Sequence, residues 1–167
     1  MPEEATGVLL PADPTKPPHR VPLDSHKMAL LRAAADSERG LCCLVALRQP
    51  AANLCVYRDD SRLPVNVLAS LILRAADPAR RQDRVRGDAV LVGLAHDNGV
   101  YASAPAGYTD VLFPRSGLFR VEFQPPQGGR RQPLSFPEWT DVVSAYREGL
   151  RLGRALPRMA VRVVRVR

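Results

Sequence analysis

The sequence predicts an α+β fold: a mixed β-sheet with about three helices, closing on a strand–helix–strand unit. Three observations lead there. Apolar runs are cut to strand length by glycine and turn residues, as in R-V-R-G-D-A-V-L-V-G-L-A-H-D-N-G-V-Y over 84–101. There A-V-L-V lies between Gly87 and Gly93, and Asn98-Gly99 supplies the pair that best tolerates positive φ, so the stretch reads as strand, turn and return strand. Apolar residues recur at steps of three and four in three other stretches, each opening on a capping residue. The last of these is flanked by two β-like runs, the order of a parallel strand pair crossed by a helix.

At 167 residues the chain suits one domain, with roughly 70% of its unfolded surface available for burial. Sixteen prolines and 11 glycines imply many turns and limited regular structure. No apolar run approaches the roughly 18 residues of a membrane span, and the acidic, proline-rich start lacks the pattern of an export signal. A soluble, cytoplasmic protein is expected.

In chain order, A-T-G-V-L-L at 5–10 predicts a first strand and P-A-D-P-T-K-P-P a stiff turn. Asp24 then caps a helix over 25–37, with Met28, Leu31, Ala34 and Ala35 on one face. L-C-C-L-V-A-L at 41–47 is apolar without alternation, which predicts a strand covered on both faces. The run at 54–57 is expected to pair with the segment near Leu63 through D-D-S-R, where Asp59 and Asp60 read as turn residues rather than an acid–base pair. Asn66 caps a helix whose apolar face is Leu68, Leu71, Ile72 and Ala75, ending before Pro78. The cluster Arg80, Arg81, Arg84 and Arg86 reads as a solvated loop, with anion contact as the alternative. Beyond the Asn98-Gly99 turn, 102–110 reads as loop with a short segment at 111–113, and His96 as an exposed turn histidine.

The last third opens on the alternating L-F-R-V-E-F at 118–123, followed by a polar loop. Ser135 and Glu138 form the S-x-x-E capping box of a helix over 137–155, which docks through Trp139, Val142, Val143, Tyr146 and Leu150, the tryptophan buried against the final strand. That strand, M-A-V-R-V-V-R-V-R, breaks alternation at Val163-Val164, which predicts a bulge. Residues 1–114 thus read as an α+β core and 115–167 as an Arg-rich strand–helix–strand unit packed on the same domain.

The charge follows that division. Residues 1–114 hold 13 basic and 13 acidic residues, whereas 115–167 hold 11 arginines against 4 acids, which is the whole net charge of +7. Of the 24 basic residues only Lys16 and Lys27 are lysine, a bias that a GC-rich genome also produces. On the solvent side of the last helix stand Arg147, Arg151 and Arg154, with Arg158 just beyond. These four are the candidate anion-binding residues, their partner a polyanion such as nucleic acid or nucleotide. Like charges at this spacing cost about what the helix C-terminus returns, a few tenths of a kcal/mol, so solvated surface is the competing reading. Cys42, Cys43 and Cys55 read as free thiols, since strand neighbours face opposite ways and Cys42 and Cys43 cannot share a metal. No phosphate loop, dinucleotide fingerprint, zinc-protease helix or nucleophile elbow occurs, so no catalytic residue, metal or cofactor is predicted.

Two resemblances follow from particular residues. H-D-N-G-V-Y-A-S-A-P-A-G-Y-T-D-V-L-F-P-R-S-G-L is similar to the segment of dUTP pyrophosphatases that ends in Arg-Ser-Gly; the downstream catalytic aspartate stretch of that family has no counterpart. Over about residues 7–105, G-V-L-L-P-A-D, L-P-V-N-V-L-A-S-L, R-G-D-A-V-L-V-G and the D-N-G turn resemble, in order and spacing, the family called domain of unknown function 3846. It occurs in actinobacteria, their phages and plasmids. That resemblance implies a small α+β domain and carries over no functional residue. Together these readings predict a cytosolic accessory or regulatory protein that acts by binding, with a mobile element as its expected source. The alternatives are a nucleotide-acting enzyme and a non-specific nucleic-acid binder using the Arg-rich helix.

Overall fold

The computed structural model describes residues 5–23, 42–57, 61–97, 99–113, 117–133 and 138–166. The helix expected over 25–37, its Asp24 cap, Asp59-Asp60, Asn98, Arg115-Ser116 and Ser135 lie outside these residues. The α+β class holds. Among the described residues two sheets stand in place of one mixed sheet, and every strand pair is antiparallel.

The first sheet has β1 (Thr6–Leu10), β2 (His19–Pro22), β3 (Cys42–Arg48), β4 (Ala51–Tyr57) and β5 (Ala89–Val92), in the order β2-β1-β5-β4-β3. The apolar 89–92 run is its middle strand, buried at all four positions, as its lack of polar residues requires. Two expectations fail around it. β4 does not pair near Leu63; it pairs with β3 through the two-residue turn Gln49-Pro50, and with β5. β3 is an edge strand, not a strand covered on both faces, and its Leu44 is 40% exposed. A proline turn with no Asn-Gly or Asp-Gly signal hid the true hairpin. Cys42 and Cys43 do face opposite ways, each joining a different apolar cluster.

α1 (Val67–Ala76) begins where Asn66 caps it. The Asn66 side chain is fully buried and all its hydrogen-bonding atoms are used. Its Oδ1 accepts from Ala69 N at 3.0 Å, and Nδ2 donates to Leu10 O at 2.8 Å and to Gly87 O at 3.0 Å. One carboxamide therefore joins the end of β1, the start of α1 and the approach to β5. Gly87 fits this node because its φ is +69° and a Cβ there would lie 2.8 Å from the Tyr57 ring.

α2 (Ala106–Leu112) replaces the loop expected at 102–110. Its Tyr108 is buried and donates to Pro50 O at 2.9 Å, so docking on the β3–β4 turn, not helix propensity, holds these seven residues. Past Gly93 the chain doubles back as expected, but its return is an isolated Ala95–Tyr101 bridge, with Gly99 at φ +77°.

The second sheet contains β6 (Leu118–Gln124), β7 (Gln132–Pro133) and β8 (Ala160–Val166) in the order β7-β6-β8. β6 and β8 are antiparallel, which overturns the parallel crossover. The reason is one additional reversal. After β6 the chain returns along it, pairing Gln132 with Phe123 and then Trp139 with Phe119, before α3 (Val142–Leu152) runs back and β8 descends. Trp139 is accordingly a half-buried bridge residue, not a helical one, and α3 starts at the Asp141 cap rather than at a box around 135–138. The register of β8 is continuous through Val163 and Val164, so there is no bulge.

One apolar cluster runs from Val8, Leu10 and Leu54 through Ile72 of α1 to Val121, Tyr146 and Val161. α3 comes close to the second sheet at Gly149, where a Cβ would stand 2.5 Å from Val161 Cγ1 and 2.9 Å from Val121 Cγ1.

Two measurements check this packing. Asn66→Ala should cost about 3–5 kcal/mol in urea unfolding, through the lost cap and two buried carbonyls left unpaired. Asn66→Asp keeps the cap acceptor but turns oxygen toward those carbonyls, which raises the folded-state pKa of the new carboxyl. Its stability should therefore improve as pH falls and be lost as pH rises through that pKa. Gly149→Ala would gain about 1 kcal/mol from helix propensity in an open helix. With a Cβ only 2.5 Å from a buried valine methyl, overpacking costs about 2–3 kcal/mol and wins by about 1–2 kcal/mol, so calorimetry should show a Tm lower by about 2–8 °C.

Candidate anion site

The C-terminal half of α1, the 81–82 segment and the face of α3 that carries its arginines enclose a groove of about 440 Å³. Its floor is apolar, with Leu71, Leu150, Gly153 and Pro157. Arg74, Arg81, Arg147, Arg151 and Arg154 line it, together with Gln82 and no carboxylate. Three of the four arginines singled out in the sequence are thus brought together. Arg158 is not; it lies in a neighbouring cleft. Arg154 belongs to a 3-10 turn, Gly153–Ala155, that follows α3, so it reaches the same groove from beyond the helix proper.

Outside the groove three arginines meet acids. Arg48 Nε is 3.3 Å from Asp77, Arg80 Nη1 is 2.8 Å from Asp83, and Arg120 Nη2 is 3.0 Å from Glu122. In the groove only Arg151 does so, its Nη2 lying 2.6 Å and its Nε 2.8 Å from Glu148. Arg74 Nε donates to Asp83 O at 2.7 Å. Among the described residues Arg74, Arg81, Arg147 and Arg154 have no salt bridge.

Arg81 is the most constrained of them. Its Nη2 donates to the Met159 carbonyl, while its buried Nε has no partner. Burial disfavours its charged form and pulls its pKa below the ordinary arginine value. Gly153 makes room for it, since a Cβ there would stand 2.9 Å from Arg81 Nη1. The arginine cluster at 80–86 is thereby divided: Arg81 enters the groove, Arg80 pairs with Asp83, and Arg86 donates to Leu63 O at 2.9 Å.

Arg74 and Arg81 escaped the sequence-based site because they belong to the charge-neutral part of the chain. Their nearest signal was the 80–86 run, which does not tell which member turns toward α3. The arrangement can hold anionic oxygens against several guanidinium forks while an apolar floor receives whatever bears them.

Other chemistry-bearing residues are placed differently. His96 is exposed in its turn, as expected. Cys42, Cys43 and Cys55 form no disulfide; burial raises the pKa of Cys42 and Cys55, so both remain thiols at neutral pH. Among the described residues no three His, Cys, Asp or Glu stand close enough to hold a metal ion, and no helix is long and apolar enough to cross a membrane. No family model, curated protein or solved structure matches the chain.

α3 presents its arginines from a helix started by Asp141, whose Oδ1 accepts from Ser144 N at 2.9 Å. Hydrogen bonds from the Ser144 side chain and then its backbone hold the Asp141 carboxyl below the ordinary carboxylate range. A depressed folded pKa means stabilisation that is complete above the unfolded value and disappears as pH falls through the folded one. Asp141→Ala should cost about 1 kcal/mol at pH 7, and its Tm should converge on that of the parent well below about pH 4.

Proposed function

We propose that this is an accessory or regulatory protein that acts by binding a polyanion in the arginine groove. One observation carries the reading: five arginines line a single concavity without a lining carboxylate, and four of them form no salt bridge among the described residues. The groove volume of about 440 Å³ lies within the range of small-ligand clefts, roughly 300–1,000 Å³. Membership of the domain of unknown function 3846 family belongs to the same proposal and assigns no residue a role.

Calorimetric titration with linear inorganic polyphosphate tests it without involving bases or sugars. Binding is expected at ~50 mM salt and should weaken steeply as salt rises. Arg147→Gln and Arg154→Gln should each lower the log–log salt slope by roughly 0.7 to 0.9 if each meets one phosphate. No binding at ~50 mM salt, or variants with unchanged affinity and slope, would overturn the proposal. Pyrophosphate release from dUTP and Mg²⁺ would replace it with the nucleotide-enzyme reading.

A further inference from the structure

Arg158 lines a second cleft, of about 280 Å³, with Arg48 at the end of β3 and Gln49 of the β3–β4 turn. Pro157 lines both this cleft and the arginine groove, so the two are neighbours across one residue. The lone acid in the second cleft, Asp77, is already engaged: Arg48 is 3.3 Å away, Arg80 is 4.0 Å away, and the Ala79 N–H donates to its Oδ1 at 3.0 Å. Arg158 is exposed.

Resting on the polyanion reading above, we propose that the occupant is single-stranded nucleic acid, laid from the arginine groove across Pro157 into the second cleft. Three features of the two clefts select it. Cationic side chains recur on both sides of Pro157, which suits a ligand with charge repeated along its length better than one compact group. The floors between them are apolar, with Leu71, Leu150 and Pro157 in the groove and Pro78 and Pro126 beyond it. A ligand seated there carries apolar faces between its charges, as bases lie between phosphates. Both sites are concave, whereas a duplex presents phosphates on a convex cylinder with its base faces hidden inside. Single strands expose both at once. Neither cleft is lined by an aromatic ring, so bases rest on proline and leucine and binding has little sequence preference.

Fluorescence anisotropy with labelled deoxythymidine oligomers from about 4 to about 16 nucleotides, the span of known single-strand sites, provides the test. Affinity should rise with length until both clefts are filled. Arg158→Gln should weaken the longest oligomer about five- to tenfold at ~50 mM salt, the effect of removing one phosphate contact from a single strand, and should leave the shortest oligomer and inorganic tripolyphosphate unchanged. Arg154→Gln should weaken all three. A duplex of equal length, or polyglutamate, that binds as tightly as the long oligomer would overturn the single-strand assignment. An Arg158→Gln variant with unchanged affinity for the long oligomer would overturn the track while leaving the groove's polyanion role standing. Failure of every oligomer and of polyphosphate would remove both.

Discussion

The Asn66 carboxamide closes three chain segments onto one another, and the rest of the arrangement depends on that closure. Leu10 ends β1, Gly87 precedes β5, and Ala69 opens α1; each is far from at least one of the others in sequence, yet all three bond to one side chain. Two backbone contacts reinforce the node: Asn66 N donates to Val85 O at 2.9 Å, and Gly87 N donates to Pro64 O at 2.9 Å. Because the side chain is fully buried, water cannot substitute for any missing partner, so α1 is fixed in both position and direction. That direction decides where Arg74 and the 77–86 segment emerge. The groove is thus a consequence of the node, several turns of chain away from it.

The fold was legible where local chemistry and tertiary demand agree. Asn66 as a cap, the buried 89–92 strand and the 118–123 strand followed by a helix and a final strand all rest on signals within a few residues. The failures share a physical cause. β3 and β4 meet through Gln49-Pro50, whose composition resembles no common hairpin signal, and α2 forms around Gly107 because Tyr108 anchors it to Pro50. The antiparallel β6–β8 pair turns on a two-residue strand and one Trp139–Phe119 bridge. Elements that short carry no periodicity, so the reversal they produce cannot be read from spacing, although it inverts the direction of everything after it.

For the candidate site, the stripe Arg147, Arg151 and Arg154 was legible because helical spacing alone puts those residues on one face. What spacing could not convey was concavity. Arg74 and Arg81 come from the other side of the groove, and they change its character from an exposed row to an enclosed one. Arg158 illustrates the converse: adjacent in sequence to the stripe, it is diverted past Pro157 into separate surroundings. Net charge by segment located the basic third correctly, yet it concealed that two arginines of the neutral part complete the cluster.

Concavity distinguishes the cluster from a scattered excess of arginine, since five arginines line one groove whose lining includes no carboxylate. A genome rich in G and C places arginine throughout a chain, and in this one Arg48, Arg80 and Arg120 found carboxylates at 2.8 to 3.3 Å. Glu148 pairs with Arg151, and Arg147 and Arg154 form no salt bridge among the described residues, although, after the Ser144 hydrogen bonds, the charge of Arg147 helps hold the Asp141 carboxyl low. Arg81 goes further, since its guanidinium is partly desolvated yet receives only a carbonyl where a charged partner would offset that burial. Like charges drawn together around an apolar floor lower the stability of the empty protein, and an anion that supplies the missing negative charge recovers it. The guanidinium of Arg81, given room by the absence of a side chain at Gly153, is the point at which this fold leaves a partly buried charge without a salt bridge among the described residues, a cost that the proposed polyanion would offset.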